Sequence, residues 1–300
     1  SEMLRIATQV SGTVNWEITT ITANGLDKAN GFTFTVQDVA AGPAAQVAFQ
    51  GGEADVIVSD WLWVARQRAE GQDFVFIPYS KAVGALLVPA DSPVQALSDL
   101  AGKKIGIAGG PVDKSWLILR AFAQKEYGMD LAGQTEQVFG APPLIFETAM
   151  SGELDGAVNF WHFNAKMEAA GMRPVVTVSD AAAKLGLDPE TPLLGYVVRG
   201  DLVREKPGLV AGLAAASRAA KDLLATDDAA WEALRPMMNA KSDVQFEALK
   251  AGFRAGIPTA GAVDEDAAAR MLAIMAELGG EELMGKTDRL PEGVFFSPGS

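Results

Sequence analysis

Residues 51–71 read GGEADVIVSDWLWVARQRAEG, and residues 151–171 read SGELDGAVNFWHFNAKMEAAG. Set at a constant offset of one hundred and without a gap, eight of the twenty-one positions are identical: Gly52/Gly152, Glu53/Glu153, Asp55/Asp155, Val58/Val158, Trp61/Trp161, Ala65/Ala165, Ala69/Ala169 and Gly71/Gly171. The echo extends upstream, where LRIATQVSGTVNW ends in Trp16 and KKIGIAGGPVDKSW ends in Trp116, each after a strand-like run and a glycine-containing loop. A phrase written twice, and only twice, points to an internal duplication of one lobe rather than to a solenoid.

Around these phrases, short β-branched apolar runs alternate with longer alanine-rich segments of helical period, the pattern of an α/β fold with mostly parallel strands. The runs predict strands at residues 4–8, 33–38, 55–58, 74–78, 84–89, 104–108, 135–139, 156–159, 174–178 and 195–199. Helices are predicted between them, among them 15–30, 94–100 and 113–127, and the last hundred residues are predicted almost wholly helical. Gly31, Gly71, Gly128 and Gly171 stand where helix ends need a left-handed residue.

Composition narrows the function. A formal charge of −13 opposes a surface built for nucleic acid or an anionic membrane, both of which reward clustered Lys and Arg. The chain has no cysteine, so disulfides, thiolate metal sites and cysteine nucleophiles are excluded. No apolar run approaches the roughly 18–20 residues of a membrane span. The chain opens almost directly on LRIATQ, which is the expectation for a chain whose secretion signal has been removed.

Two α/β lobes side by side make a cleft, and in open parallel sheets ligands lie beyond the carboxyl ends of the strands. Trp16, Trp61, Trp116 and Trp161 all fall at such strand-to-helix junctions. One expectation is that the lobes present matching indoles to a shared groove; the other is that each Trp packs beneath a first helical turn.

The stretches IATQVSGTVNW, VAFQGGEADVIVSDW, SDLAGKKIGIAGG and FETAMSGELDGAVNFW make the chain resemble the periplasmic substrate-binding proteins of ABC importers, in particular the nitrate/sulfonate/taurine type, over most of residues 1–225. The resemblance implies a type II-like fold of two α/β lobes joined by two crossing strands, with lobe 1 at residues 1–88 and 197–300 and lobe 2 at 89–196. It implies capture of a small ligand by lobe closure, delivery to an ABC permease/ATPase complex, a monomer in the periplasm, no catalysis and no required cofactor. Candidate ligand-binding residues in the loops are Gln9, Ser11, Thr13 and Trp16; Ser59, Asp60 and Trp61; Tyr79, Ser80 and Lys81. The second lobe offers Gly109, Gly110, Asp113, Lys114, Ser115 and Trp116, then Asn159, Trp161 and His162.

Within GGPVDKSW, glycines before a helix start expose backbone N–H groups at a positive dipole end, which suits a carboxylate, sulfonate or phosphate, with Lys114 adding a full charge. The same residues are compatible with Asp113 as a helix cap and Lys114 as a solvated charge. A groove of several indoles suits a flat conjugated anion better than nitrate or taurine. Pyrroloquinoline quinone meets that description, with Lys81, Lys114 or Arg199 at its carboxylates, and through GGPVDKSW the chain is similar to the subset of the family associated with quinoprotein systems. Lys114, if held neutral, could add to an ortho-quinone carbonyl. Rival expectations are an enzyme of this fold using the lone His162 with Asp60 or Asp155, a sensor-coupled binding module, and a regulator's effector domain. The cysteine-rich motif of the similar thiamine-pyrimidine synthases is absent.

Overall fold

The computed structural model describes residues 2–298; the expected lobe bounds at 1 and 300 lie outside the described residues. The chain begins β1 (Glu2–Gln9), α1 (Val14–Ala23), α2 (Leu26–Ala29), β2 (Phe32–Val39), α3 (Gly42–Gln50), β3 (Val56–Asp60), α4 (Trp61–Ala69) and β4 (Phe74–Ser80). It crosses into β5 (Ala85–Val88), β6 (Lys104–Ala108), α5 (Lys114–Tyr127), α6 (Leu131–Gln134), β7 (Glu136–Gly140), α7 (Pro142–Met150), β8 (Gly156–Val158), α8 (Trp161–Ala169), β9 (Arg173–Thr177) and α9 (Val178–Lys184). It returns as β10 (Leu194–Arg199) and closes with α10 (Gly200–Glu205), α11 (Pro207–Thr226), α12 (Asp228–Leu234), α13 (Asp243–Ala255) and α14 (Glu265–Met284).

The strands form two sheets of the same design, ordered β2-β1-β3-β10-β4 and β7-β6-β8-β5-β9. In each, the fourth position holds the strand that crosses from the other lobe, antiparallel to its neighbours: β10 beside β3 and β4, and β5 beside β8 and β9. This is a two-lobed α/β fold in which each half lends the other a strand. Ala85–Val88 already belongs to the second sheet and Leu194–Val197 to the first, so the crossings run through residues 81–84 and 189–193.

The duplicated phrase now has a physical cause at each position. Gly52 and Gly152 take φ of 80° and 81°, and Gly71 and Gly171 take 95° and 101°, left-handed values that side chains resist. Asp55 Oδ2 accepts from the Arg5 N–H at 2.9 Å, and Asp155 Oδ2 from the Lys104 N–H at 2.9 Å, so each aspartate fastens its strand to the first strand of its own sheet. Ala65 and Ala165 are buried on the inner faces of α4 and α8.

The C-terminal segment ties the lobes together. Helix α13 packs on α8 of the second lobe, and α14 lies against both α4 and α5. Residues 294–296 run along the edge of β4, with Phe76 N–H donating to Val294 O at 2.7 Å and Phe296 N–H to Phe76 O at 2.8 Å. No described helix is long and apolar enough to cross a membrane.

Candidate functional site

The loops after the parallel strands of both sheets carry most of the candidate residues, and the two lobes meet there through Trp16 with Trp161 and Lys114 with Asp60. In lobe 1 the β1–α1 loop is braced by Asn15, whose Nδ2 donates to the carbonyls of Gln9 at 2.8 Å and Gly12 at 3.0 Å. Gln9 and Ser11 remain exposed, and the Gln9 amide lies against Gly42 at the start of α3. In lobe 2, Asn159 is buried and acts as a bracket: its Nδ2 donates to Pro142 O at 3.0 Å and its Oδ1 accepts from the Phe160 N–H at 2.8 Å. That fixes the β8–α8 junction against the start of α7.

Three of the four repeated indoles are buried. Trp16, Trp61 and Trp116 are 5%, 0% and 1% exposed. Trp161 is half-buried and meets Trp16 edge-on at 6.1 Å, while Trp16 also packs on Trp231 and Phe253. Trp61 packs on Phe295. The repeated tryptophans are therefore packing residues: Trp16 and Trp161 join α1 of one lobe to α8 of the other, and Trp61 and Trp116 lie in the core beneath α14. The C-terminal helices and tail supply rings that pack on Trp16 and Trp61.

Several other candidates have partners within the fold. Thr13 and Tyr79 are buried and share a hydrogen bond at 3.1 Å, and burial raises the Tyr79 hydroxyl well above its ordinary range. Ser80 is buried with its hydroxyl accepting from the Ala82 N–H, and Ser59 is buried within β3. Lys81 pairs with Glu190 at 2.6 Å, next to the crossing segments. Arg199 sits at the far end of β10, bonded to Ala54 O and Asp55.

Lys114 reaches across the lobes. Its Nζ lies 3.0 Å from Asp60 Oδ2, while Asp60 Oδ1 caps α4 by accepting from the Trp63 N–H at 2.8 Å. The Asp60 charge holds the Lys114 pKa above its usual value, so the amine stays protonated and a role as nucleophile finds no support. Asp113 caps α5 through the Trp116 N–H at 3.0 Å, and burial raises its carboxyl above the ordinary range. Gly109, Gly110 and Ser115 adjoin this capped turn.

The duplication is broken at this point. Phe160 stands where lobe 1 has Asp60, and Thr13, with its hydroxyl turned to Tyr79, stands where lobe 2 has Asp113. The N-termini of α4 and α5 are thus capped by carboxylates, whereas those of α1 and α8 have no side-chain cap. Helices α3 and α7 likewise begin at Ala41 and Ala141 without a side-chain cap. His162, in the first turn of α8, makes ring contacts with Phe160, Trp161 and Phe163. Burial, with Lys166 nearby, lowers its pKa to about 4, so the imidazole is neutral at physiological pH. Phe160, 44% exposed, was missed by sequence reasoning; the mismatch SDW against NFW in the repeat was the signal available.

Two cavities bear on the choice of site. One of ≈ 30 Å³ lies between the crossing segments, lined by Lys81, Lys114, Thr191, Leu193, Met271 and Met275, with the Thr191 hydroxyl unpartnered among the described residues. It has room for a water or two, not for an organic anion. The other, ≈ 410 Å³, lies between β4, α11, residues 258–262 and the C-terminal tail, bordered by Pro78, Ala214, Lys221 and Phe296.

A model of the NMT1/THI5-like family matches residues 23–230. No curated protein sequence matches. Among solved structures, the alkanesulfonate-binding protein SsuA from Xanthomonas axonopodis pv. citri bound to MOPS superposes with a TM-score of 0.73 at 16% identity, covering 99% of this chain and 98% of that one. The periplasmic aliphatic sulphonate binding protein SsuA from Escherichia coli gives 0.73 at 18%, covering 98% and 95%. A mutant of DszB in complex with biphenyl-2-sulfinic acid gives 0.61 at 19%, covering 98% and 96%. At these identities the likeness establishes a shared fold. The family match spans well over half of the chain, and the chain belongs to the NMT1/THI5-like family.

Proposed function

We propose that the protein is a periplasmic solute-binding protein of an ABC importer that captures an organic sulfonate, or a similar anion with an apolar tail, between its lobes. The observation that carries this reading is the broken equivalence at the helix starts. The uncapped first turn of α8 offers the amides of Trp161, His162 and Phe163 to an anion, and a helix N-terminus stabilises negative charge there. The opposite pair, α4 and α5, already holds Asp60 and Asp113. Exposed Val10, Leu144 and Phe160 beside the open ends suit an apolar tail. The names of the superposed structures, with sulfonate or sulfinate among their ligands, support the same class.

Pyrroloquinoline quinone is less favoured because three of the four indoles it would use are buried. Catalysis is disfavoured because there is no cysteine, and the lone His162 makes only ring contacts among the described residues. The protein would act as a monomer, without a resident cofactor, by population shift toward the closed lobes. Calorimetric titration with methanesulfonate, octanesulfonate, benzenesulfonate, taurine, nitrate and pyrroloquinoline quinone tests this. Saturable binding of a sulfonate is expected; tight binding of the quinone or nitrate with no sulfonate binding would overturn it.

A further inference from the structure

The ≈ 410 Å³ cavity is a ligand-sized space that capture between the lobes leaves unused. The residues that line it come from β4, α11, residues 258–262 and the tail at 296–298; none comes from the second sheet or its helices. The cavity therefore lies within one half of the molecule and needs no contribution from the other.

Its lining has the character of a small-molecule site, in which mostly apolar walls of a space of roughly 300–1,000 Å³ carry a few placed polar groups. Pro78 and Phe296 form part of the walls, and α11 faces the space with the methyl groups of Ala211, Ala214 and Ala215, positions that share one side of a helix. The charged side chains among the described lining residues are Arg218 and Lys221; no carboxylate lines the cavity.

The polar end is already organised. Lys221 is 2% exposed. An ammonium has three donors, and Glu17 Oε1 at 2.7 Å and Ser217 Oγ at 2.5 Å take two of them. The Tyr79 ring, 5.2 Å from Nζ, stabilises the charge without supplying an acceptor oxygen. Glu17 also accepts from the Ser217 and Tyr196 hydroxyls, so its single charge is shared among three donors and offsets Lys221 only in part. Arg218 gives its guanidinium to Asp222 at 2.8 Å and to Pro258 O at 2.7 Å, which fixes residues 258–262 against α11.

We propose that this cavity is a second ligand site, separate from the anion site between the lobes, for a monocarboxylate with an unbranched apolar chain. The carboxylate takes the remaining donor of Lys221, and the chain lies between Pro78, the alanines of α11 and Phe296.

Calorimetric titration of the whole protein with butanoate, hexanoate and octanoate, and with octan-1-ol as the uncharged counterpart, tests this. Affinity should rise about fourfold for each methylene, and octanoate should bind at least about tenfold more tightly than octanol. Ala211→Leu and Ala214→Leu fill the space from α11 and should each weaken octanoate at least about tenfold, with the urea midpoint measured alongside to show that the protein is folded. Lys221→Met combined with Glu17→Gln, which strands no charge, should erase the preference for octanoate over octanol. Methanesulfonate, which has no chain to fill the cavity, should not displace octanoate. No saturable octanoate binding, a flat chain-length series, undiminished binding in both folded leucine variants, a preference that survives the double substitution, or displacement by methanesulfonate each overturns the proposal. None of these outcomes bears on sulfonate capture between the lobes.

Discussion

His162 is the only histidine of the chain, so acid titration between neutrality and the carboxylate range reports on one imidazole. Burial and Lys166 hold it at about 4 in the folded protein, against a value near 6.5 in an unfolded chain. On acidification the unfolded chain takes up this proton first, so stability is intact at neutral pH and falls as the pH drops through about 6.5 toward 4. Integrating the difference gives a loss of about 2 kcal/mol by about pH 5, approaching about 3 kcal/mol below the folded value. Burial raises the carboxyls of Asp113 and Glu168, which therefore bind protons more readily in the folded state and soften the lower end of the descent. Urea denaturation at pH 7.5, 6 and 5 on the wild type and His162→Gln measures it. The variant should lose markedly less stability between 7.5 and 5. Parallel losses in both proteins would refute the placement of His162 as a neutral, half-buried ring.

Other packing features give further expectations. Glu17, fully buried, is paired with Lys221 at 2.7 Å and accepts from Ser217 at 2.7 Å and from Tyr196. Lys221→Met should destabilise by about 3–5 kcal/mol, read from the denaturation midpoint, because it strands a buried charge; adding Glu17→Gln should recover a large part of that loss. A Cβ on Gly252 would lie 2.7 Å from Trp161 Cζ3, and a packed ring cannot yield. Gly252→Ala should cost about 1–3 kcal/mol and disturb the junction of α13 with α8. Asp60→Ala removes both the α4 cap and the contact with Lys114 and should cost about 1–2 kcal/mol, against less than about 1 for Lys114→Met. Small-angle scattering on the Lys114→Met protein should show a larger radius of gyration, since the cross-lobe pair is lost.

The fold was legible where a local signal carried it. Ten strands fall within a residue or two of the apolar runs, and the repeat at one hundred anticipates two sheets of one design. Expected helix 15–30 divides into α1 and α2 because Gly25, at φ 65°, turns the chain between them. The expected helix at 94–100 shrinks to a single 3-10 turn at Leu97–Leu100. Helix α9 was missed because its opening Val178 reads as a continuation of β9, although Thr177 caps it.

The site was legible only in part. Strand ends can be located from periodicity, but which way a tryptophan at a helix start faces depends on what covers it. Trp231 and Phe253 cover Trp16, and Phe295 covers Trp61; these rings arrive from more than a hundred residues downstream. Lys114 looked like a free cation because its partner, Asp60, lies in the other lobe.

The most direct measurement is a crystal structure of the protein grown with octanesulfonate. The expected density places the sulfonate oxygens on the Trp161, His162 and Phe163 amides at the start of α8, with the alkyl chain along Phe160. Sulfonate found instead against Lys114 between Asp60 and Asp113, or in the larger cavity beside Lys221, would contradict the assignment of the open helix start as the anion site.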